Sequence, residues 1–210
     1  MKEFIFEDIT ESWQAYFLGF LFSDGYVGKR EIAIKLCYLD EQILIDLKNK
    51  LGRGSISKRK GNLVKHHNGS YLSKDYSILR IYDVRMIKQL EKFGMTKNKT
   101  FAIQLPININ YFNHFLRGYF DGDGCLTFSK TGDKKYPKIK IASNDLFIKQ
   151  LLDYLKIGYI CKQGRISVLT ITKRKDIEYF ATLIYKDCDI CLERKKNKFI
   201  EFDLINESYN

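Results

Sequence analysis

Two aspartates stand out by what surrounds them. Asp24 closes the run Phe17-Leu18-Gly19-Phe20-Leu21-Phe22-Ser23-Asp24-Gly25. Asp123 closes Leu116-Arg117-Gly118-Tyr119-Phe120-Asp121-Gly122-Asp123-Gly124, 99 positions further on. In both, a mostly apolar run of helical character carries small residues four apart, Gly19 with Ser23 and Gly118 with Gly122, and ends in Asp-Gly. Residues at i and i+4 share a helix face, so each small pair leaves a groove along which a second helix can approach. Gly25 and Gly124 are expected to end the two helices as left-handed residues. If the helices pack on each other, Asp24 and Asp123 lie side by side at the negative ends of two helix dipoles. Two anions there repel and call for a cation, and Mg²⁺ is the hard, oxygen-seeking candidate.

Other chemistries for the same residues fail on spacing. Asp121-Gly-Asp123-Gly opens like a calcium-binding EF-hand loop, but the twelfth position, which needs a Glu, is Gly132. A phosphatase-type Asp-x-Asp-Gly needs a strand before it, and the run before Asp121 has helical spacing. Cys188-x-x-Cys191 has no second pair, and His66, His67 and His114 are far from it in sequence, so the pair reads as buried thiols rather than half a zinc site. An odd cysteine count without a secretory segment argues against a disulfide framework and for an intracellular, non-secreted protein. No apolar run is long enough to span a membrane.

The elements that must hold the two carboxylates follow from periodicity. The chain has 210 residues, 45% hydrophobic and 14% aromatic, which describes a globular protein. The first motif helix runs over residues 12–24, with Thr10 or Ser12 as N-cap and Trp13, Phe17, Phe20 and Leu21 at helical spacing. A hairpin follows over residues 26–29 and 31–38, where Ile32, Ile34 and Leu36 alternate with Ala33, Lys35 and Cys37. Asp40 caps a helix over 41–51; a strand over 55–59, a basic loop over 58–69, a strand over 76–82 and a helix over 84–93 complete the half. The second half repeats the plan. Asn110 caps residues 111–123, and strands at 126–129 and 138–142 flank a loop at 130–137. Asn144 caps 145–156, strands follow at 159–162 and 165–172, and helices at 176–185 and 191–201 end the chain. The expected fold is α+β: two pseudo-symmetric αββαββα halves, residues 1–100 and 110–210 joined by 101–109. The halves pack through the two motif helices, and the open faces of antiparallel sheets line a saddle.

Those open faces carry donors suited to nucleic acid. In the first half they are Lys35, Ser55, Ser57, Arg59, Lys74, Tyr76 and Arg80; in the second, Thr127, Ser129, Lys138, Lys140, Gln163, Arg165, Thr170 and Thr172. Lys and Arg neutralise phosphates, while Ser, Thr, Gln and Arg on strands can read base edges. A net charge of +11 points to the same anionic partner.

The paired motifs resemble those of the LAGLIDADG homing endonucleases, in the form that carries two motifs in one chain. The first copy departs from the family pattern: Phe22 replaces the first acid, and Ser23 takes the small position. The resemblance implies a monomer with pseudo-two-fold symmetry that cuts both strands of a long double-stranded DNA target. Mg²⁺, with Mn²⁺ as a substitute, is then held by Asp24 and Asp123, with the carbonyls of Ser23 and Gly122 as further oxygen donors. Basic groups at the ends of the halves, Lys97 and Lys99 in one and Lys196 and Lys198 in the other, are the candidates to steady the transition state. A second reading on the same scaffold stays open: an RNA-splicing maturase holding intron RNA, or a DNA-binding regulator that does not cut.

Overall fold

The computed structural model of the chain describes residues 6–66, 69–95, 103–132 and 134–206. In chain order, the first half holds α1 (Ser12–Asp24), β1 (Gly25–Val27), β2 (Ile32–Cys37), a 3₁₀ turn (Tyr38–Asp40), α2 (Glu41–Leu51), β3 (Ser55–Arg59), β4 (Leu63–His66), β5 (Gly69–Leu72), β6 (Tyr76–Ile81) and α3 (Val84–Lys92). The second holds α4 (Phe112–Asp123), β7 (Gly124–Thr131), β8 (Lys134–Ser143), α5 (Asp145–Leu155), β9 (Tyr159–Gln163), β10 (Ile166–Ile171), α6 (Arg174–Tyr185) and α7 (Glu193–Glu201). The architecture is α+β. Two antiparallel four-stranded sheets have matching strand orders, β1-β2-β6-β3 and β7-β8-β10-β9, and β4 pairs with β5 apart from both. Among the described residues, no helix is long and apolar enough to cross a membrane.

Apolar alternation sets the sheets' covered faces. Ile32, Ile34, Leu79 and Ile81 in one sheet, and Ile139, Ile141, Leu169 and Ile171 in the other, are buried. The stripe Ile43, Leu44, Leu47 and Leu51 of α2 joins the same core, as does Phe147, Ile148, Leu151 and Leu155 of α5. The two halves even share a polar tie. Glu41, at the start of α2, accepts from Ser77 Oγ and pairs with Lys58, both at 2.8 Å. Asp145, at the start of α5, accepts from Ser167 Oγ at 2.9 Å and pairs with Lys162. Each carboxyl is held below its ordinary value by its lysines, Lys58 for Glu41, and Lys149 then Lys162 for Asp145.

Several local expectations are corrected. Helix α1 is capped by Glu11, not Thr10 or Ser12, because Gln14 reaches back to accept from the Glu11 and Thr10 amides at 3.0 and 2.8 Å. Tyr111, not Asn110, precedes α4, with φ +57°; the Asn110 amide instead donates to the Ile9 carbonyl at 3.1 Å. The region 130–137 is not a loop: strands β7 and β8 run on through it, closing at Gly132 with φ +59°. Pro137 is tolerated because β8 before Ile139 pairs with β7 only, as an edge strand does. The basic region 58–69 is likewise partly strand, because Leu63 and Val64 pair with Leu72 and Tyr71. Gly25 and Gly124 are extended, with φ −75° and −82°. Space, not backbone sign, demands glycine there: a Cβ would lie 2.6 Å from Leu21 Cα at the first and 2.1 Å from a Phe120 ring carbon at the second.

Candidate metal and nucleic-acid site

The two motif helices are buried on nearly every side: residues 13–22 of α1 are all buried, and so is most of α4, including its polar His114, Arg117 and Asp121. That is the pattern of a helix enclosed in a core rather than lying on its surface. The expected stripe is thus a full jacket, because α1 meets α4 as well as its own sheet. The helices touch through their backbones. A Cβ on Gly19 would sit 2.0 Å from the Phe115 carbonyl oxygen, and one on Gly118 would sit 2.0 Å from that of Tyr16. Gly122 faces Ser23, whose Oγ would be 1.8 Å from an added Cβ. Every one of these contacts repeats with the 99-residue offset of the two motifs, so the helices lie side by side in the same direction and end together.

At that common end Asp24 and Asp123 are both exposed. Asp24 Oδ2 would lie 3.2 Å from a Cβ on Gly122, the residue before Asp123. Asp123 borders a cavity of about 190 Å³ with Ser23, Tyr119, Ser143 and Asn144. The Tyr119 hydroxyl donates to the Ala142 carbonyl at 3.1 Å. Burial first, and then the charges of Asp123 and Asp24, push its pKa up. Among the described residues, nowhere do three or more His, Cys, Asp or Glu side chains gather. The donor set at this end is therefore two carboxylates and backbone carbonyls, a hard oxygen set that fits a divalent cation of the Mg²⁺ type.

A lysine that the motif comparison passed over closes the helix end. Lys195, on α7, is buried and its Nζ donates to the carbonyls of Phe120, Asp121, Gly122 and Gly124 at 2.8, 2.6, 3.1 and 2.6 Å. It thereby satisfies the last carbonyls of α4 and neutralises the dipole beneath Asp123. Burial lowers its pKa, opposed by the charges of Asp121 and Asp24. Lys196 is buried, with its charge acting on Cys188; Lys198 is exposed on α7; Lys97 and Lys99 fall outside the described residues.

Asp121, the first acid of the second motif, is internal. Its Oδ2 accepts from the Tyr16 hydroxyl at 2.9 Å and from the Leu192 amide at 2.7 Å, tying α1 and the start of α7 to α4. Burial raises its pKa to about 6 against the pull of the Leu192 amide and Lys195. Arg117 is fully buried beside it and donates to the carbonyls of Ile190 and Ile184 at 2.9 and 3.1 Å and to Asp189 at 2.8 Å. Arg194 grips Asp40 of the first half through two bonds of 2.7 and 2.8 Å, so Asp40 is a partner for α7 rather than a side-chain cap.

The open sheet faces gather most of the predicted polar residues. The register of β2, β6 and β3 puts Lys35, Tyr76, Arg80, Ser55, Ser57 and Arg59 on one face. Lys35 Nζ lies 3.8 Å from the Tyr76 ring centroid, and Arg80 donates to Ser57 at 3.2 Å. Lys74 is exposed in the connection before β6. In the second sheet, Thr127, Ser129, Lys138, Lys140, Gln163 and Thr170 share a face. Arg165 and Thr172 are exposed just outside the strands. Thr170 has that orientation but is 3% exposed, because it sits mid-sheet between Lys140 and Tyr159; it does not present its hydroxyl to a ligand.

Comparison with known proteins agrees with this fold. Residues 111–185 match the model of the LAGLIDADG-like domain. The chain is 28% identical over 189 residues to the DNA-directed RNA polymerase subunit Rpo1C of Methanocaldococcus jannaschii, with 87% of this chain and 20% of that one aligned. It is 21% identical over 195 residues to the intron-encoded DNA endonuclease ai2a of Dictyostelium discoideum, with 84% and 60% aligned. The chain thus spans a fifth of the first relative and three fifths of the second. The LAGLIDADG meganuclease I-AabMI bound to uncleaved DNA superposes with a TM-score of 0.62 at 14% identity, over 91% of this chain and 90% of that one. I-SmaMI, bound to an uncleaved DNA target in the presence of calcium ions, gives 0.56 at 16% identity, over 92% and 90%.

Proposed function

We propose that this chain, a two-motif protein of the LAGLIDADG type, is a site-specific double-strand DNA endonuclease. It acts as a monomer, with residues 1–100 and 110–210 as pseudo-symmetric halves joined by 101–109. The observation that carries the reading is the pair of exposed carboxylates, Asp24 and Asp123, at the joined ends of two motif helices. The open faces of two sheets, rich in Lys and Arg, would hold the duplex through its phosphates, so binding weakens as salt rises. Asp24 and Asp123, with the carbonyl of Ser23, would hold Mg²⁺, for which Mn²⁺ can substitute; the Gly122 carbonyl, expected from the sequence to join them, already accepts from the Lys195 ammonium at 3.1 Å. When bound, such a cation supplies a charge sink at the scissile phosphate and a more acidic water. Each aspartate serves one strand, because the two are related by the same offset as the halves. Lys195 holds the end of α4 rigid and so fixes Asp123; its own donors are taken up by four carbonyls.

The test begins with duplexes selected for binding from a randomised pool. With Mg²⁺ or Mn²⁺ the wild-type protein should cut both strands of the selected sequence. Asp24→Asn and Asp123→Asn should each bind it and leave it uncut. Tight binding with no cutting by the wild type in either metal would instead establish a non-cutting DNA-binding regulator. Preference for intron RNA over the selected duplex would establish a maturase.

A further inference from the structure

The two halves diverge in the connection between the last two strands of each sheet. In the second half β9 and β10 are joined by Gly164 and Arg165 alone, with Gly164 at φ +60°. In the first half residues 60–75 separate β3 from β6, and they carry β4 and β5. The Arg59–Tyr76 pair ends one ladder and the Leu63–Leu72 pair opens the next, with three residues between them on each strand. Those residues are themselves tied across. The Ser73 amide donates to the Asn62 carbonyl, the Asn62 amide to Ser73 Oγ and the Gly61 amide to Asp75 Oδ1, each at 2.9 Å. Strands β3–β4 and β5–β6 therefore make one long ribbon, with no residue inserted on either side.

Unbroken register decides which side chains share a face. Leu63 and Leu72 stand four positions from Arg59 and Tyr76 on their strands, an even step. They continue the face that carries Ser55, Ser57, Arg59, Tyr76 and Arg80. Both leucines are exposed, at 60% and 72%. Lys60, Lys65 and Lys74 are exposed along the same ribbon, against one acid, Asp75. Lysines in that excess suit phosphates, whereas the leucines call for an apolar partner. At about 3.3 Å per residue the ribbon adds roughly 20 Å to the face, about six base pairs of a duplex. A two-stranded ribbon fits the major groove, where the thymine 5-methyl is the apolar group on the base edges.

We propose that Leu63 and Leu72 are specificity-determining residues, packing on thymine methyl groups at the outer end of one half of the DNA target. The inference rests on the endonuclease reading above and adds to it a reach that the β9–β10 turn lacks. The lysines of the ribbon hold the phosphates that border the groove, and the leucine pair meets the base edges between them. The preference for thymine that results lies on one side of the target's centre, because one half alone carries the ribbon.

The test selects duplexes from a randomised pool, without divalent metal so that none is cut, using the full chain and its Leu63→Ser/Leu72→Ser variant. Both leucines are exposed, so the substitutions leave the core intact. Thymine should be enriched at outer positions on one side of the wild-type consensus and not in that of the variant. Replacing those thymines by uracil removes the methyl groups and keeps the base pairs. Wild-type binding should weaken about fourfold per methyl, the worth of about one buried CH₂, and binding by the variant should not change. Equal affinity of the wild type for the thymine and uracil duplexes overturns the proposal. A variant that keeps the thymine preference also overturns it, and if that variant has lost a dimer seen in the wild type, the leucines serve a second copy of this chain instead. A wild type that selects no duplex overturns the endonuclease reading as well, whereas a selected duplex without the thymine preference overturns only the role of the leucines.

Discussion

The backbone contact between the two motif helices gives a sharp prediction. Gly118→Ala adds a Cβ that would lie 2.0 Å from the Tyr16 carbonyl oxygen, whereas ordinary contact begins near 3.4 Å. The obstruction is backbone, so no side chain can turn away, and α1 and α4 must part by roughly an ångström along a fully buried seam. Overpacking of a core costs about 1–3 kcal/mol, and this contact belongs at the upper end, about 2–3 kcal/mol. For a chain of this size that lowers Tm by about 4–12 °C. On an unpacked helix the same change would stabilise by up to about 1 kcal/mol, so the sign alone is informative. Gly19→Ala, against the Phe115 carbonyl, should cost the same by symmetry. The double variant should cost less than the sum, because the first alanine already opens the seam for the second. Calorimetry on the four proteins measures all of this. A Gly118→Ala protein as stable as the wild type, or full additivity in the double variant, refutes a backbone-to-backbone seam.

Further perturbations probe the surroundings of the two aspartates. Lys195→Met keeps the buried stem but strips four carbonyls of their donor, and should cost about 2–4 kcal/mol in urea unfolding. A double-mutant cycle on Asp40→Asn and Arg194→Met should give a coupling of about 1 kcal/mol, because Arg194 is half exposed while Asp40 is buried. His114 is buried, with Nδ1 lacking a partner among the described residues. Burial, then the charge of Arg117, depresses its pKa to about 4. Its folded pKa lies below the unfolded value of about 6.5, so the stability it contributes is present above pH 6.5 and is lost as pH falls toward 4. Replacing it, as in His114→Gln, should flatten the difference in Tm between pH 7 and pH 4.5.

The two helix spans were legible because apolar spacing and a terminal Asp-Gly are local signals; α1 ends at Asp24 and α4 at Asp123 as spacing predicts. Sheet faces were legible for the same reason, since alternation along a strand survives whatever packs on it. What failed depends on partners distant in sequence. Gly25 and Gly124 suggest a left-handed turn, but their reason lies in Leu21 and Phe120 of the preceding helical turn. The Lys-Asn-Lys match between the halves does not include Lys195, because helical phase decides which residue of α7 reaches the end of α4. A one-residue step rotates a side chain by about 100°, enough to exchange Lys195 for its neighbour. Arg117 gave no signal of burial, because only the fold supplies the carbonyls that make a buried guanidinium tolerable.

Phe22, where the first motif lacks the acid of the second, bears on which halves can pair. Tyr16 and Phe115 occupy equivalent positions in the two helices, as do Phe22 and Asp121. Across the seam Tyr16 donates to Asp121, while on the other side of the pseudo-axis Phe22 meets Phe115 edge-on with centroids 5.2 Å apart. One crossing is polar and the other aromatic, and neither half can match a copy of itself. Two first halves would set Tyr16 against Phe22 and bury a hydroxyl with no acceptor. Two second halves would set Asp121 against Phe115 and bury a carboxyl without its tyrosine. Each mismatch costs about 1–3 kcal/mol at both crossings of such a self-pair. The substitution of Phe22 for an acid thus acts as a discriminator between correct and mistaken partners, built into the helix pair itself.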